Sequence, residues 1–393
     1  MNVPAGYVLA VVLIAVPTCF AVAPRRGPRI LGTLSFRLGL AINELPFVGL
    51  AWLLASTLLA AVQGDLASPA ARTTLGAAVL TSAGLAVVAR RGLLAGPVLE
   101  NALVEALGSD APGPQRGVPL ARIVLRPFSV RRRDVERVAD VAYGPAGKRN
   151  RLDVYRHRSR PQGGPVLVYF HGGGFVGGRK NKEARPLLYR LASQGWVCVS
   201  AIYRLRPDAH FPDHLVDAKK AIAWVREHGH EYGADPSTLF VAGSSAGGHL
   251  ASMAALTPSD PAFQPGFEAA DTSVTGAISL YGYHGGLDGE VDSPSSPVSY
   301  VRPDAPPFFV AHGTADTLVH IEGTRLFVDR LRGVSTNPVV YAELPGAQHS
   351  FDLFRSLRFD AVVNAVEAFT TQARRAVAPR EGARRAEGTC GRR

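Results

Sequence analysis

One serine lies in a pattern that is typical of enzyme nucleophiles. Residues 243–247 read Gly-Ser-Ser-Ala-Gly with Ser245 at the centre, and an apolar run ending at Ala242 precedes them. Small and apolar residues follow, so the pattern predicts a strand, an abrupt turn and a helix. Such a turn exposes the serine hydroxyl, and its glycines avoid collisions with neighbouring backbone. A chain with 41 glycines can contain this pattern by chance. Other residues that could act with Ser245 must therefore show whether it is a nucleophile.

An acid and a base follow Ser245 along the chain. Asp316 comes just after the apolar run at residues 307–311, and His349 comes just after the run at residues 339–344. A serine nucleophile needs a base that takes its proton and a carboxylate that orients this base. The alternative is an ordinary loop histidine and a turn-forming aspartate. Three separate loops agree in order and position, which favours a Ser245, Asp316 and His349 site.

A glycine run follows another apolar strand and suggests donors for an oxyanion. Residues 172–174 are three glycines placed directly after residues 166–170, and glycine lets backbone N–H groups face a substrate without a side chain in between. The amide of Ala246, directly after the nucleophile, is the expected second donor. A simple flexible loop is the alternative interpretation of the glycines. Their position at a strand end favours an oxyanion hole.

The region that carries these residues alternates between strand-like and helix-like segments. Strands are predicted at residues 138–143, 152–155, 166–170, 196–202, 239–242, 276–281, 307–311 and 339–344. Helices are predicted at residues 183–193, 213–228, 321–331 and 360–373. The alternation predicts an α/β fold with a mostly parallel sheet and helices on both faces. Reactive groups then collect at the carboxyl ends of the strands.

Seven stretches in this region match a known family. They are LDVY at Leu152, HGGGFVGG at His171, AIYRLRP at Ala201, FPDHLVDAKKAIAWV at Phe211, DPSTLFVAGSSAGGHLA at Asp235, HGTADTLV at His312 and PGAQHSF at Pro345. From about Val138 to Phe369 the chain resembles the hormone-sensitive-lipase and carboxylesterase branch of the α/β-hydrolase superfamily. The resemblance implies an α/β-hydrolase fold and serine esterase activity without a cofactor.

The resemblance also implies roles for individual residues. It makes Ser245 the nucleophile, Asp316 the acid and His349 the general base, and it assigns the oxyanion donors to Gly173, Gly174 and Ala246. Asp217 matches a family position that looks structural. Two features depart from the family. Ser244 stands where many relatives have Asp or His, and apolar segments replace the N-terminal cap of the lipase branch.

The first hundred residues are rich in Ala, Leu and Val and poor in charge. Residues 3–23 contain no charge and could cross a bilayer as a helix, and residues 46–62 and 73–89 are shorter apolar runs. A cleaved signal peptide is the alternative for the first run, and buried helices are the alternative for the other two. A basic loop is predicted between the first and second runs, with Arg25, Arg26, Arg29 and Arg37. The positive-inside rule then predicts a cytoplasmic catalytic domain, or an outward-facing or secreted one if the first run is a signal peptide.

Charge and cysteine content exclude several other classes. The net charge of +11 invites a nucleic-acid interpretation, but the arginines concentrate beside the apolar segments and in the last twenty residues, where an anionic membrane surface explains them more simply. The three cysteines do not indicate a disulfide framework. No metal-ligand spacing is visible, so we expect no metal and no nucleic-acid partner. The oligomeric state stays open.

These observations give one organisation and one leading function. We predict a membrane-anchoring helical region at residues 1–97, a connector at 98–133, an α/β-hydrolase domain at 134–375 and a basic disordered tail at 376–393. The expected function is a membrane-associated serine carboxylesterase acting on short- to medium-chain esters. A lipid-ester lipase, a deacetylase or an acyltransferase on the same scaffold is the alternative, as is a binding module that does not hydrolyse.

Overall fold

The computed structural model describes residues 5–108 and 117–390, and residues 377–390 by their backbone alone. The first residues of the predicted first span, residues 109–116 of the predicted connector and residues 391–393 of the predicted tail lie outside the described residues. The strands are β1 Val135–Ala142, β2 Arg151–His157, β3 Gly164–Phe170, β4 Val197–Ala201, β5 Ala234–Ser244, β6 Gly276–Leu280, β7 Phe308–Gly313 and β8 Val339–Leu344. The helices are α1 Ala5–Val22, α2 Arg29–Glu44, α3 Pro46–Val62, α4 Pro69–Leu93, α5 Ala95–Leu107, α6 Leu120–Leu125, α7 Arg185–Ala192, α8 Asp213–His228, α9 Ala246–Leu256, α10 Ile321–Val334 and α11 Leu357–Cys390.

The eight strands form one mixed sheet in the order β1-β2-β4-β3-β5-β6-β7-β8. The β1–β2 and β2–β4 pairs are antiparallel, and every other neighbouring pair is parallel. One face of the sheet packs against α5, α7 and α11, and the other packs against α8, α9 and α10. The predicted mostly parallel sheet with helices on both faces is confirmed. Because β5, β7 and β8 run in the same direction, the loops after them meet at one edge of the sheet.

Helix α5 lies in the segment that the sequence predicts to begin the connector. Its buried residues Ala95, Leu99, Ala102 and Leu103 repeat at helical spacing on one face, and that face joins the core beside β8 and α11. Helix α11 extends to Cys390, through most of the stretch that the sequence predicts as a disordered tail. The alanine, arginine and glutamate content of that stretch favours a helix. Helix α5 crosses the predicted boundary at residue 97, and helix α11 crosses the one at residue 375.

The three N-terminal apolar runs form helices α1, α3 and α4, which share a small core that includes Val11, Leu53 and Leu85. By length and composition, α1 and the stretch Pro69–Leu107 could each cross a membrane. A third crossing would need α2 and α3 together, and these two helices are bent by 82° relative to each other. The predicted basic loop is wrong from Arg29 onward, because this segment is helix α2. Gly32, Ser35 and Gly39 recur along it and allow its close packing.

Helix α2 is fixed to the hydrolase domain at its C-terminal end. The Glu44 carboxylate pairs with the Arg358 guanidinium and accepts a hydrogen bond from Ser356 Oγ at 2.7 Å. The Glu44 and Arg358 side chains are almost fully buried. The side-chain amide of Asn43 donates to the Gly346 carbonyl at 3.0 Å. Since Gly346 lies in the loop that carries His349, α2 is attached to a loop of the predicted site.

We expect Glu44→Gln to destabilise the protein strongly, because the substitution leaves the buried Arg358 charge without its counter-ion. Breaking a buried pair in this way costs about 3–5 kcal/mol. Thermal unfolding of the full chain in detergent measures the loss. The matched control is Glu322→Gln, which removes the partner of Arg26 in an exposed pair and should have a much smaller effect. Equal shifts for the two variants would contradict a stabilising role for the buried pair.

Candidate active site

Ser245 occupies the sharp turn between β5 and α9. Its backbone lies at φ 55° and ψ −119°, a strained conformation for a residue with a side chain. A side chain on Gly243 would place its Cβ 2.0 Å from the Gly247 carbonyl oxygen. A side chain on Gly247 would place its Cβ 1.9 Å from the carbonyl oxygen of Phe170. Both glycines are therefore required for this turn, which leaves Ser245 only partly buried at the edge of the sheet.

The structure brings Asp316 and His349 together with Ser245. The His349 ring nitrogen Nε2 is 2.9 Å from Ser245 Oγ, and Nδ1 is 2.7 Å from Asp316 Oδ2. Because an ionised carboxylate only accepts hydrogen bonds, Nδ1 carries the proton and Nε2 accepts from the serine hydroxyl. Asp316 Oδ1 accepts from the backbone amides of Leu318 and Val319, each at 2.9 Å. The carboxylate is thus held in one orientation before it contacts the imidazole.

Asp316 and His349 each stabilise the charged form of the other. Burial alone would raise the pKa of Asp316, but His349 and the neighbouring His312 hold it well below its usual range. Burial alone would lower the pKa of His349, but the Asp316 carboxylate raises it above its usual value. Glu183 and Asp352 raise the pKa of His349 further. The site therefore contains an ionised carboxylate and an imidazole with increased basicity.

The raised pKa of His349 predicts the pH dependence of hydrolysis. A general base must be neutral, so kcat/KM should fall as the pH drops through this pKa. The ascending limb should lie above the usual histidine value of about 6.5. The measurement is kcat/KM against pH for a nitrophenyl ester.

Glu183 has a pKa raised to about 7, mainly by burial and then by Asp352, so it titrates in the same range. The variant Glu183→Gln separates the two groups. The limb should persist in this variant and move slightly lower, because one negative charge near His349 is removed. Loss of the limb in Glu183→Gln would assign it to the glutamate instead.

The predicted oxyanion donors lie in the loop after β3 and at the start of α9. Gly173 and Gly174 have φ values of 118° and 60°, which a residue with a side chain rarely adopts. A Cβ at Gly173 would lie 2.2 Å from the Gly177 carbonyl oxygen. Both glycines are exposed, and their amides donate to no acceptor among the described residues. Ala246 is the first residue of α9, where helix amides have no partner within the helix.

A buried carboxylate that the sequence analysis did not identify lies behind the site. Asp352 accepts hydrogen bonds from Ser244 Oγ at 2.6 Å and from the Tyr281 hydroxyl. The Tyr281 ring in turn packs edge-on against the His349 ring, with 4.6 Å between their centroids. Asp352 therefore connects the residue before the nucleophile with the ring beside the base. Its signal in the sequence is a single acid within the apolar stretch SFDLF.

The glycine loop has a partly buried acid of its own. Glu183 accepts a hydrogen bond from the backbone amide of Gly172. His171 is also fixed, because its ring stacks on Tyr203 with centroids 4.6 Å apart and its carbonyl accepts from the Tyr203 hydroxyl at 2.8 Å. These contacts hold the loop from one end while Gly173 and Gly174 stay exposed. Asp217 accepts from the Arg204 backbone amide and Nε, each at 2.9 Å, which supports the structural role predicted for it.

Helix α2 covers part of the site. The Phe36 ring packs edge-on against the His349 ring, with centroids 5.9 Å apart. Thr317, directly after Asp316, donates from Oγ1 to the Gly32 carbonyl at 2.8 Å. The approach is so close that a Cβ at Gly32 would lie 2.9 Å from the Thr317 carbonyl oxygen. Within the part of the chain that the structure describes, no cluster of His, Cys, Asp and Glu could hold a metal ion.

Known proteins with similar sequences are esterases. A family model described as BD-FAE matches residues 152–285. The probable carboxylic ester hydrolase LipM of Mycobacterium tuberculosis is 38% identical over 379 residues, which cover 86% of each chain. Esterase LipC of the same organism is 35% identical, with 82% of this chain and 83% of that protein covered.

Solved structures with a similar fold include an esterase. The esterase Est2 of Thermogutta terrifontis, solved with bound butyrate, superimposes with a TM-score of 0.54 at 26% identity. The match covers 61% of this chain and 94% of that esterase. The similarity to LipM spans most of both proteins, and the matched segment of the family model includes the glycine loop and the serine turn. This chain belongs to the hormone-sensitive-lipase-like branch of the α/β-hydrolases, and it is a carboxylic ester hydrolase.

Proposed function

We propose that this protein hydrolyses short- to medium-chain carboxylic esters with Ser245 as nucleophile, His349 as general base and Asp316 as the acid that orients it. The observation that carries the proposal is the continuous chain of hydrogen bonds from Ser245 Oγ through the His349 ring to Asp316. This arrangement can remove the serine proton and stabilise the imidazolium that forms. A binding module without hydrolysis would not need such a chain.

The reaction follows from these contacts. Ser245 Oγ attacks the ester carbonyl carbon while its proton passes to His349 Nε2, and Asp316 stabilises the positive ring. The amides of Gly173, Gly174 and Ala246 stabilise the negative charge on the carbonyl oxygen. When the tetrahedral intermediate collapses, His349 gives the proton to the leaving alcohol. Water, activated by the same ring, then releases the acid from the acyl-enzyme and restores Ser245. No step needs a metal or a cofactor.

We also propose that the enzyme is bound to a membrane through several of its N-terminal helices, with the catalytic domain in the cytoplasm. The support is the length and composition of α1 and of Pro69–Leu107, together with large apolar side chains that α3 and α4 expose. Leu58 is 66% exposed and Leu80 is 75% exposed. The arginine distribution supports the orientation. A reporter fused to the C-terminus that is active only outside the cytoplasm would reverse it.

A lipid ester is the second candidate substrate, and helix α2 favours it. Phe36 of α2 contacts the His349 ring, and α2 continues directly into the apolar helix α3. A substrate that approaches Ser245 therefore meets an element connected to the predicted membrane region. This arrangement suits an ester with an apolar tail, whereas short esters need no such contact.

Activity against nitrophenyl esters of increasing acyl length, with membranes that contain the full chain, tests the function. We expect hydrolysis that peaks at short or medium chains and disappears after treatment with a phosphonate that modifies reactive serines. A maximum at long chains would replace the leading substrate class with lipid esters. Hydrolysis of no ester at any length, in protein that folds normally, would refute the proposed substrate class.

A further inference from the structure

A cavity of about 680 Å³ lies between helix α6, the segment that joins it to β1, and the loop before α11. We call it the arginine cavity. Among the described residues that line it, six are arginines and one is an acid. They are Arg122, Arg126, Arg131, Arg132, Arg133 and Arg355, with Asp134, and Ala121, Leu125 and Ser129 complete the lining. The cavity shares no lining residue with the candidate active site.

Arg355 is the buried member of this set. Its side chain is 7% exposed, and its Nε has no hydrogen-bond partner. The nearest carboxylate, that of Asp360, lies 4.0 Å from Arg355 Nη1, at the limit of an ion pair. The Arg355 amide donates to the Pro127 carbonyl at 3.1 Å, which fixes the loop to the segment after α6. A buried guanidinium with an unpaired N–H donor destabilises the folded state unless an acceptor binds that donor.

Among the described residues, acids balance only part of the positive charge that lines the cavity. Asp134, the one lining acid, already accepts a hydrogen bond from Ser193 and lies 3.7 Å from Arg132 Nε. Burial lowers the pKa of Arg355, and nearby arginines including Arg122 lower it further, against the opposing effect of Asp360. The pKa of Arg132 is lowered in the same way, first by burial and then by neighbouring arginines, against the opposing effect of Asp134. A bound anion would relieve this repulsion.

The side chains around the cavity indicate which anion fits. Guanidinium groups present paired N–H donors that match the oxygens of phosphate, and a volume of about 680 Å³ is in the range of small-molecule sites. Leu125, which lines the cavity, is 77% exposed, and Phe128, three residues further along the chain, is 66% exposed. We propose that the arginine cavity binds a phosphate group, free or on the head group of an anionic lipid. The exposed leucine and phenylalanine give a lipid tail an apolar surface next to that group.

The test measures thermal unfolding of the full chain in detergent with two probes. One is inorganic phosphate, and the other is mixed micelles that contain phosphatidylglycerol. A ligand that binds the folded state should raise the unfolding midpoint by about 5 °C when its site is saturated. A rise with phosphate means that the free anion suffices, whereas a rise only with phosphatidylglycerol assigns the site to a lipid. Phosphatidylcholine micelles, whose choline charge offsets the phosphate, should give a smaller rise.

A matched pair of triple variants shows whether the cavity causes the shift. Arg122→Gln, Arg126→Gln and Arg131→Gln change exposed arginines of the cavity, so the fold should persist. Lys148→Gln, Arg330→Gln and Arg375→Gln remove the same charge from exposed positions elsewhere. We expect the first set to abolish the shift and the second to keep it. A shift that survives in the first set, or no shift with either probe in the unaltered protein, would overturn the proposal.

Discussion

Ser245→Ala should lower kcat for a nitrophenyl ester by about 10⁶-fold, the scale seen when a serine hydrolase loses its nucleophile. The substitution removes the atom that attacks, and His349 Nε2 then has no hydroxyl 2.9 Å away from which to accept a proton. The proposed oxyanion donors persist in this variant, so a small residual rate above that of water is expected. The measurement is kcat of the purified full chain, with correct folding checked by thermal unfolding.

The control for this variant is another serine on the same helix. Ser252 is buried in α9 and donates from Oγ to the Gly248 carbonyl at 2.9 Å, within its own helix. Ser252→Ala should therefore keep the rate within a small factor of the unaltered protein. Hydrolysis that continues at the original rate in Ser245→Ala would show that another group attacks the ester.

Asp316→Asn should lower kcat by about 10⁴-fold while the fold persists, because asparagine has nearly the same shape. The carboxylate accepts from Nδ1 of His349 at 2.7 Å and so leaves Nε2 free to accept from Ser245. An asparagine amide can donate to Nδ1, which would place the ring proton on Nε2 and prevent it from acting as a base. The variant also removes the charge that raises the His349 pKa.

The comparison variant is Asp329→Asn, which changes an exposed aspartate on α10 and should keep full activity. The two variants should differ in kcat, and Asp316→Asn should leave KM within a few-fold of its original value, since Asp316 lies behind the ring. A loss in KM alone, with kcat retained, would give Asp316 a binding role and contradict its place in the mechanism.

The structure brings together the three residues that the sequence proposes for the site, and each of them lies in a short local signal at a strand end. Ser245, Asp316 and His349 follow β5, β7 and β8, and parallel strands bring such ends to one edge without any knowledge of side-chain packing. The helix predicted at residues 213–228 has the same bounds as α8, since its apolar face is regular. Local sequence pattern and position in the sheet are sufficient to predict these features.

The contacts that support the site are not local, so the sequence alone could not predict them. Asp352 interacts with Ser244 and Tyr281 across the sheet, and nothing near it in the chain indicates those partners. Glu44 is one of the few acids in an apolar region, but its partner Arg358 is more than three hundred residues away. The sequence does not predict helix α2, for a similar reason. Its arginines resemble a basic loop between spans, and its helical state depends on the surfaces that it covers.

The contacts of α2 determine whether the hydrolase domain can be separated from the N-terminal helices. An anchor that only tethers a domain can be cut away without loss, whereas removal of residues 1–97 would leave the Arg358 charge unpaired and take away part of α5 from the core. It would also remove Phe36 from the His349 ring. The N-terminal helices and the hydrolase domain therefore share buried contacts, and a catalytic fragment without residues 1–97 would need a substitute for each of them.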